Sequence, residues 1–354
     1  MTLDCEQYEF SYESEGTSFI FEEIVAKYYL SWPGIVFGVK NVTGDYVPIS
    51  EVPKIKANGL NLSKNDFEKA YLITKELVNK FRVDLETIKN TDQTKEDVIG
   101  YFLVIKKLLL NYSIFDMYYG DGIYENNPTD ERVVLISGLK NKIRDDLDFV
   151  FFKKDGWLET ILQTLAKQFS LSIDDIKYYR ENELLDLFEN KKVAAEIIAK
   201  RVESYIFIRD ENSVIDFYEG KEAYKLGQGL LKKRINTKIL QGKVANGKGE
   251  VFTAKVTVIK RNYKDREGLS KEMNAMVEGT ILVSQTTDPE LMPALRKARA
   301  IITDIGGMLS HSAISARELN IPCLVGVEQA SKILKTGNTV EINTNSGIIR
   351  IIND

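Results

Sequence analysis

The 354 residues carry 48 Lys and Arg against 52 Asp and Glu, a formal net charge of −4. That balance excludes a molecule whose whole surface matches nucleic acid or an acidic membrane. With 44% hydrophobic and 28% charged residues, the chain reads as a soluble globular protein of at least two domains. The start, Met1 to Glu6, lacks the basic residues and apolar core of a secretory signal. No apolar run reads as approaching the ~20 residues that a membrane helix needs. Cys5 and Cys323 are the two cysteines, far apart and outside any CxxC pattern. A reduced cytoplasmic protein is expected, without membrane or nucleic-acid partners. With a single histidine, no metal site built from the usual zinc ligands is expected either.

The chain changes character near residue 236. Residues 1–235 read as mainly helical; residues 236–354 alternate short β-branched runs with glycine turns. The first stretch, to about Val47, is aromatic and ambiguous, with a helix suggested from Ser18 to Leu30. Ser63, with Asp66 three residues on, predicts a capped helix whose Ala70, Ile73, Leu77 and Phe81 share one face. A second helix is predicted from about Lys95 to Met117. Asp121-Gly122 and Asn126-Asn127-Pro128 then mark a loop. Helices follow at 130–147 and 158–169, with short capped ones at 172–176, 182–188 and 193–202, and a strand at 204–209. The lysine- and glycine-rich stretch 225–248, with Lys232-Lys233-Arg234, reads as a hinge. It is either a solvated basic linker or a phosphate- or nucleic-acid-binding strip. The aromatic pairs Tyr118-Tyr119, Tyr178-Tyr179 and Phe151-Phe152 read as core rather than as an acceptor pocket. The acidic pairs Asp145-Asp146 and Asp174-Asp175 read as solvated helix positions.

Strands are predicted at 251–259, 280–283, 300–303, 323–326, 339–342 and 348–352. Asp288-Pro289-Glu290 is a helix start, with Asp as N-cap and Pro at the first helical position. A glycine turn then leads into a helix carrying His311, the only histidine. Imidazole is the usual side chain for carrying protons or phosphoryl groups near neutral pH. Gly306 and Gly307 let main-chain N–H groups approach a ligand closely. Ser310 is positioned to cap the helix, which places His311 in its first turn. There the helix dipole attracts anions and disfavours the imidazolium. A neutral ring keeps the lone pair that in-line attack on phosphorus requires. Ser312 and Ser315 are candidate donors to phosphate oxygens. Arg317 has two open roles: reaching a phosphoryl group, or anchoring the loop by pairing with Asp304.

The run from Thr303 to Gly326, with its Gly-Gly, Ser-His, Ala-Ile-x-Ala-Arg-Glu and Ile-Pro-x-Leu-Val-Gly pieces, resembles the mobile phosphohistidine domain of the phosphoenolpyruvate-utilising enzymes. Thr286-Thr287-Asp288-Pro289-Glu290-Leu291-Met292-Pro293 and Gly347 share that resemblance. It implies an α+β multidomain chain: a mainly helical N-terminal region, then a swivelling β/β/α domain from about residue 236 to the C-terminus. It implies His311 as the phosphoryl-carrying residue. In some relatives a threonine two residues before the histidine is a regulatory phosphorylation site. Leu309 stands there, so no such control is expected through that position.

The family usually joins this domain to an ATP-grasp domain, a phosphoenolpyruvate barrel, or both. A barrel takes roughly 250 residues of βα repeats, and residues 1–235 offer neither that length nor that pattern. The expected function is therefore a phosphotransferase component. A separate ATP-grasp or phosphoenolpyruvate-binding protein would load His311, and a small-molecule acceptor would receive the group. Mg2+ and ATP or phosphoenolpyruvate would sit at that partner, and no tightly bound cofactor is expected here. The alternative is a non-catalytic binding or regulatory module that retains a relic mobile domain.

Overall fold

A computed structural model describes residues 3–15, 17–29, 32–40, 42–232, 239–247, 249–260 and 266–353. The chain forms two compact units. One comprises Met1–Tyr119 and Val134–Leu231; the other comprises Gly120–Val133 and Lys232–Asp354.

The first unit combines helices with a five-stranded antiparallel sheet. Its strands are β1 (Tyr8–Glu15), β2 (Gly34–Val39), β3 (Val42–Pro48), β4 (Ser204–Arg209) and β5 (Ile215–Glu219), in the order β1-β3-β2-β4-β5. Only β4 is expected from the sequence. β2 is a run of apolar residues buried on both faces: Ile35, Val36 and Phe37 are all inaccessible. Gly38 is required there, because a Cβ would lie 2.2 Å from the Tyr205 ring on the neighbouring strand. The long helices Lys64–Asn90, Lys95–Tyr112 and Trp157–Gln168 pack together, with Phe81 and Trp157 ring centroids 4.1 Å apart. The first begins in the expected capping box, in which Ser63 and Asp66 bond reciprocally. Thr94 and Asp97 form the same device at the second.

Three expectations for this half need correction. Asp121-Gly122 is not loop: it lies within the helix Met117–Asn126, because Asp121 and Ile123 are fully buried and that burial overrides weak helix propensity. Asp146 is not solvated: it is buried and accepts from Lys75 at 2.6 Å and Arg82 at 2.8 Å. The helical stretch Lys95–Asn126 is, by length and composition, apolar enough to cross a membrane. It is interrupted by a 3-10 turn at Ser113–Phe115, and Val98, Phe102, Ile105, Leu108 and Leu109 are buried within the protein. Of the aromatic pairs, Tyr118 and Tyr179 are core residues, whereas Phe152 is half exposed.

Arg201 is the unit's densest polar junction. Its buried guanidinium donates to both Glu183 oxygens (2.6 and 2.7 Å), to Glu219 (2.8 Å) and to the Tyr178 carbonyl (2.8 Å). Burial alone would raise the Glu183 carboxyl; the hydrogen bonds from Arg201 and the Arg180 backbone outweigh it and hold the group below its ordinary value.

In the second unit the strands are β6 (Ile239–Gln241), β7 (Lys243–Asn246), β8 (Val251–Val258), β9 (Ile281–Ser284), β10 (Ala300–Thr303), β11 (Cys323–Val325), β12 (Thr339–Asn343) and β13 (Ile348–Asn353). They form one sheet in the order β6-β13-β12-β8-β9-β10-β11-β7. The central four, β8 to β11, run parallel; their neighbours are antiparallel. Parallel strands covered on both faces are apolar throughout, and every residue of β9, β10 and β11 is buried. The period of two divides them between two cores. Leu282, Ile301, Cys323 and Val325 pack with Leu291, Leu295, Ala313 and Ala316. Ile281, Val283, Ala300, Ile302 and Leu324 pack with Phe252, Val340 and Ile342. Of the stretch read as a hinge, 225–232 ends the helix Gly220–Lys232, and 239–246 supplies β6 and β7. Lys233 and Arg234 lie outside the described residues.

Both tryptophans, Trp32 and Trp157, belong to the first unit, so their fluorescence reports its unfolding alone. Arg201→Met should lower its stability in denaturant by about 3–5 kcal/mol, the usual cost of breaking a buried ion pair. The lowered Glu183 carboxyl contributes stability above the unfolded carboxylate range of about 4.3. That contribution is lost as pH falls through the still lower folded value, so acid should erode the wild type more steeply than the variant.

Candidate functional site

The site forms where β9 and β10 end, the edge at which parallel α/β sheets gather ligands. Two bonds extend the ladder past the strands: Asp304 N–H to the Ser284 carbonyl (3.2 Å) and Ile305 N–H to the Gln285 carbonyl (3.0 Å). Asp304 is buried, and its carboxylate accepts from the Ser331 backbone N–H at 2.8 Å and the Ser331 hydroxyl at 2.5 Å. It fixes the strand end.

The chain then reverses. Gly306 has φ +136°, a conformation that side chains resist, and a Cβ there would crowd Ser310 at 3.0 Å. Ser310 N–H bonds to the Gly307 carbonyl at 3.0 Å and closes the turn. Ser310 is the N-cap of the helix His311–Leu319, as expected, accepting from Ala313 N–H at 3.3 Å. Its Oγ also lies 2.9 Å from the Ser312 hydroxyl, which is buried and 3.5 Å from Thr303 Oγ1.

His311 is the first residue of that helix and is half-buried. Its Nδ1 is 3.0 Å from Thr287 Oγ1, and Ser315 Oγ is 3.5 Å from Nε2. Thr287 is buried, set in place by the adjacent Asp288, which caps the turn Pro289–Leu291 by accepting from Glu290 N–H at 2.8 Å. In the tautomer in which Thr287 accepts the Nδ1 proton, the ring's lone pair resides on Nε2.

Arg317 contacts the loop backbone. Its Nη2 donates to the Met308 carbonyl at 2.6 Å, and its guanidinium lies over the Tyr124 ring at 4.4 Å. On the other side of the loop stands Asp121, fully buried. It accepts from Met308 N–H at 2.8 Å and from Lys243 Nζ at 3.3 Å. This is why the second glycine is needed: a Cβ on Gly307 would lie 2.3 Å from the Asp121 carboxylate. Gly120 likewise admits Leu309, whose Cδ1 would be 2.8 Å from a Cβ at that position. Beneath the helix, burial pushes the Cys323 thiol up to about 12.

The turn and helix thus bring Gly306, Ser310, His311 and Ser315 together. Ser312 is turned inward, and Gly307 and Arg317 serve the loop. Sequence reasoning assigned no role to Thr287, Asp121, Tyr124 or Lys243. Thr287 had a signal, standing directly before an Asp-Pro helix start; Asp121, nearly two hundred residues upstream, had none. Among the described residues no three His, Cys, Asp or Glu side chains converge to hold a metal ion.

Residues 276–347 match the family model for the PEP-utilising enzyme, mobile domain. The chain is 46% identical over 80 residues to a phosphoenolpyruvate synthase of Pyrococcus furiosus, covering 23% of this chain and 10% of that protein. It is 26% identical over 210 residues to a rifampicin phosphotransferase of Bacillus cereus, covering 57% of this chain and 22% of that protein. The latter match is longer than residues 236–354 and so reaches into the helical half. An enzyme I structure in solution covers 83% of this chain at 14% identity with a TM-score of 0.23, too low to carry a fold argument. The chain spans between a tenth and about a fifth of the length of these curated relatives. Its C-terminal part carries the match to the mobile domain of the PEP-utilising enzymes.

Gly307→Ala should push Asp121 off the Met308 amide and cost the second unit about 1–3 kcal/mol, the range for overpacking. Hydrogen exchange of the β9 and β10 amides measures it. In an Asp121→Ala background the same substitution should cost markedly less, giving a coupling energy between the two positions.

Proposed function

We propose that His311 is a phosphoryl carrier. It takes the group from ATP or phosphoenolpyruvate held at a site on a separate protein, and delivers it to a small-molecule acceptor. The observation that supports this most is the placement of the chain's one imidazole at a helix start, with its Nδ1 bonded to Thr287.

In the loading step the Nε2 lone pair attacks the donor phosphorus. A P–N bond forms, the P–O bond to the donor breaks, and the leaving oxygen keeps the bonding pair. The Nδ1 proton stays in its bond to Thr287, so the ring carries the positive charge of the phosphoimidazolium. In delivery an acceptor hydroxyl oxygen attacks phosphorus, the P–N pair returns to Nε2, and the hydroxyl proton is lost to solvent. The helix terminus favours the anionic group at this position by up to about 2 kcal/mol. Mg2+ would accompany the donor's phosphates.

The rifampicin phosphotransferase match extends into the helical half, and that relative's name supports a small organic molecule as the acceptor class. ATP and phosphoenolpyruvate are intracellular donors, and a cytoplasmic location follows from this reading.

The test is incubation with labelled ATP or phosphoenolpyruvate and candidate loading proteins, scoring acid-labile protein phosphate. Wild type should label and His311→Ala should not; equal labelling of the variant would end the proposal. Thr287→Val removes the hydroxyl that fixes the tautomer. It should slow labelling roughly tenfold, the worth of one oriented hydrogen bond. Phosphorus NMR should place the label on Nε2.

A further inference from the structure

The histidine loop already holds an anion, and it is the chain's own. We propose that Asp121 is a charge latch. Its carboxylate occupies the backbone seat at Gly307–Met308 while His311 is unmodified, and phosphorylation of His311 dislodges it together with residues 120–133.

Four observations carry this. The Asp121 side chain is wholly inaccessible, and it accepts from one backbone N–H, at 2.8 Å, and from Lys243, at 3.3 Å. Gly307 leaves the space the carboxylate fills; any side chain would collide with it. Tyr124, one helical turn beyond Asp121, stacks on Arg317, and Arg317 grips the carbonyl of the same Met308 whose N–H Asp121 grips. Met308 is thus clamped at both backbone polar groups by segment 120–133 and its stacking partner. His311 lies just three residues further on, across the turn closed by Ser310 N–H and the Gly307 carbonyl.

A phosphoryl group adds roughly two negative charges. On His311 it is carried three residues from Met308, and charges interact over ~8–10 Å in physiological salt. A second anion there repels the buried Asp121 carboxylate and competes for the same N–H and ammonium donors. The latch therefore closes on the empty carrier and opens on the loaded one.

The idea rests on His311 accepting a phosphoryl group, but its test needs no loading protein. Phosphoramidate phosphorylates imidazole directly: the P–N bond to ammonia breaks, the P–Nε2 bond forms, and ammonia leaves. With one histidine in the chain there is one such product. Hydrogen exchange with mass spectrometry is then compared for the full chain before and after labelling. Amides of 120–133 and of Met308 should exchange about tenfold faster when labelled, the loss of a charge-assisted hydrogen bond. Asp121→Asn keeps an acceptor for Met308 but no charge, so labelling should leave its exchange unchanged. Labelled wild type exchanging at the unlabelled rate overturns the latch alone, and this comparison needs no variant. An equal acceleration in Asp121→Asn also overturns it, because charge would not be the trigger. Failure of His311 to accept the label overturns both the latch and the carrier reading.

Discussion

The chemistry of the C-terminal unit depends on how the backbone passes from a buried parallel strand to a helix within seven residues. Asp304 pins the end of β10 through Ser331, and Ser310 caps the helix that begins at His311. Between these fixed points the chain reverses with Gly306 at φ +136°. If Asp304 were loose, the imidazole would keep its helix but lose its register with Thr287, which hangs from the end of the neighbouring strand β9. Orientation of one ring nitrogen is therefore a property of the sheet, set by the pairing of Thr303 with Ser284.

How much of this could be read from the chain depended on distance along it. Every strand from β8 to β13 announced itself as a short β-branched run between turn residues, and the short edge strands β6 and β7 did not. The N-cap at Ser310, the capping box at Ser63 and the Asp288 start were equally legible, being contacts between residues two or three apart. The five-stranded sheet of the first unit was not. β2 is a six-residue apolar run that periodicity cannot tell from a helix fragment, and its partners come from both ends of that unit's sequence.

The same rule explains the site residues. His311 stood out by being alone, and its neighbours by adjacency. Asp121 was hidden twice over, by its distance from the loop and by Asp-Gly, a pair that ordinarily signals a turn. Burial decided otherwise. Arg317 shows the intermediate case: a phosphoryl group and Asp304 were the two partners weighed from the sequence, and its bond to the Met308 carbonyl was visible in neither.

Cys323 lies in β11, in the same core as Ala313 and Ala316 of the histidine helix, and its thiol stays protonated at any physiological pH. Such a sulfur is a poor target for peroxide and for electrophiles, which attack the thiolate. Sulfenylation beneath the helix would wedge oxygen into a packed layer and tilt the imidazole from its acceptor. Because burial holds the proton on Cys323, this core should pass unmodified through oxidising conditions that would alter an exposed, ionised cysteine.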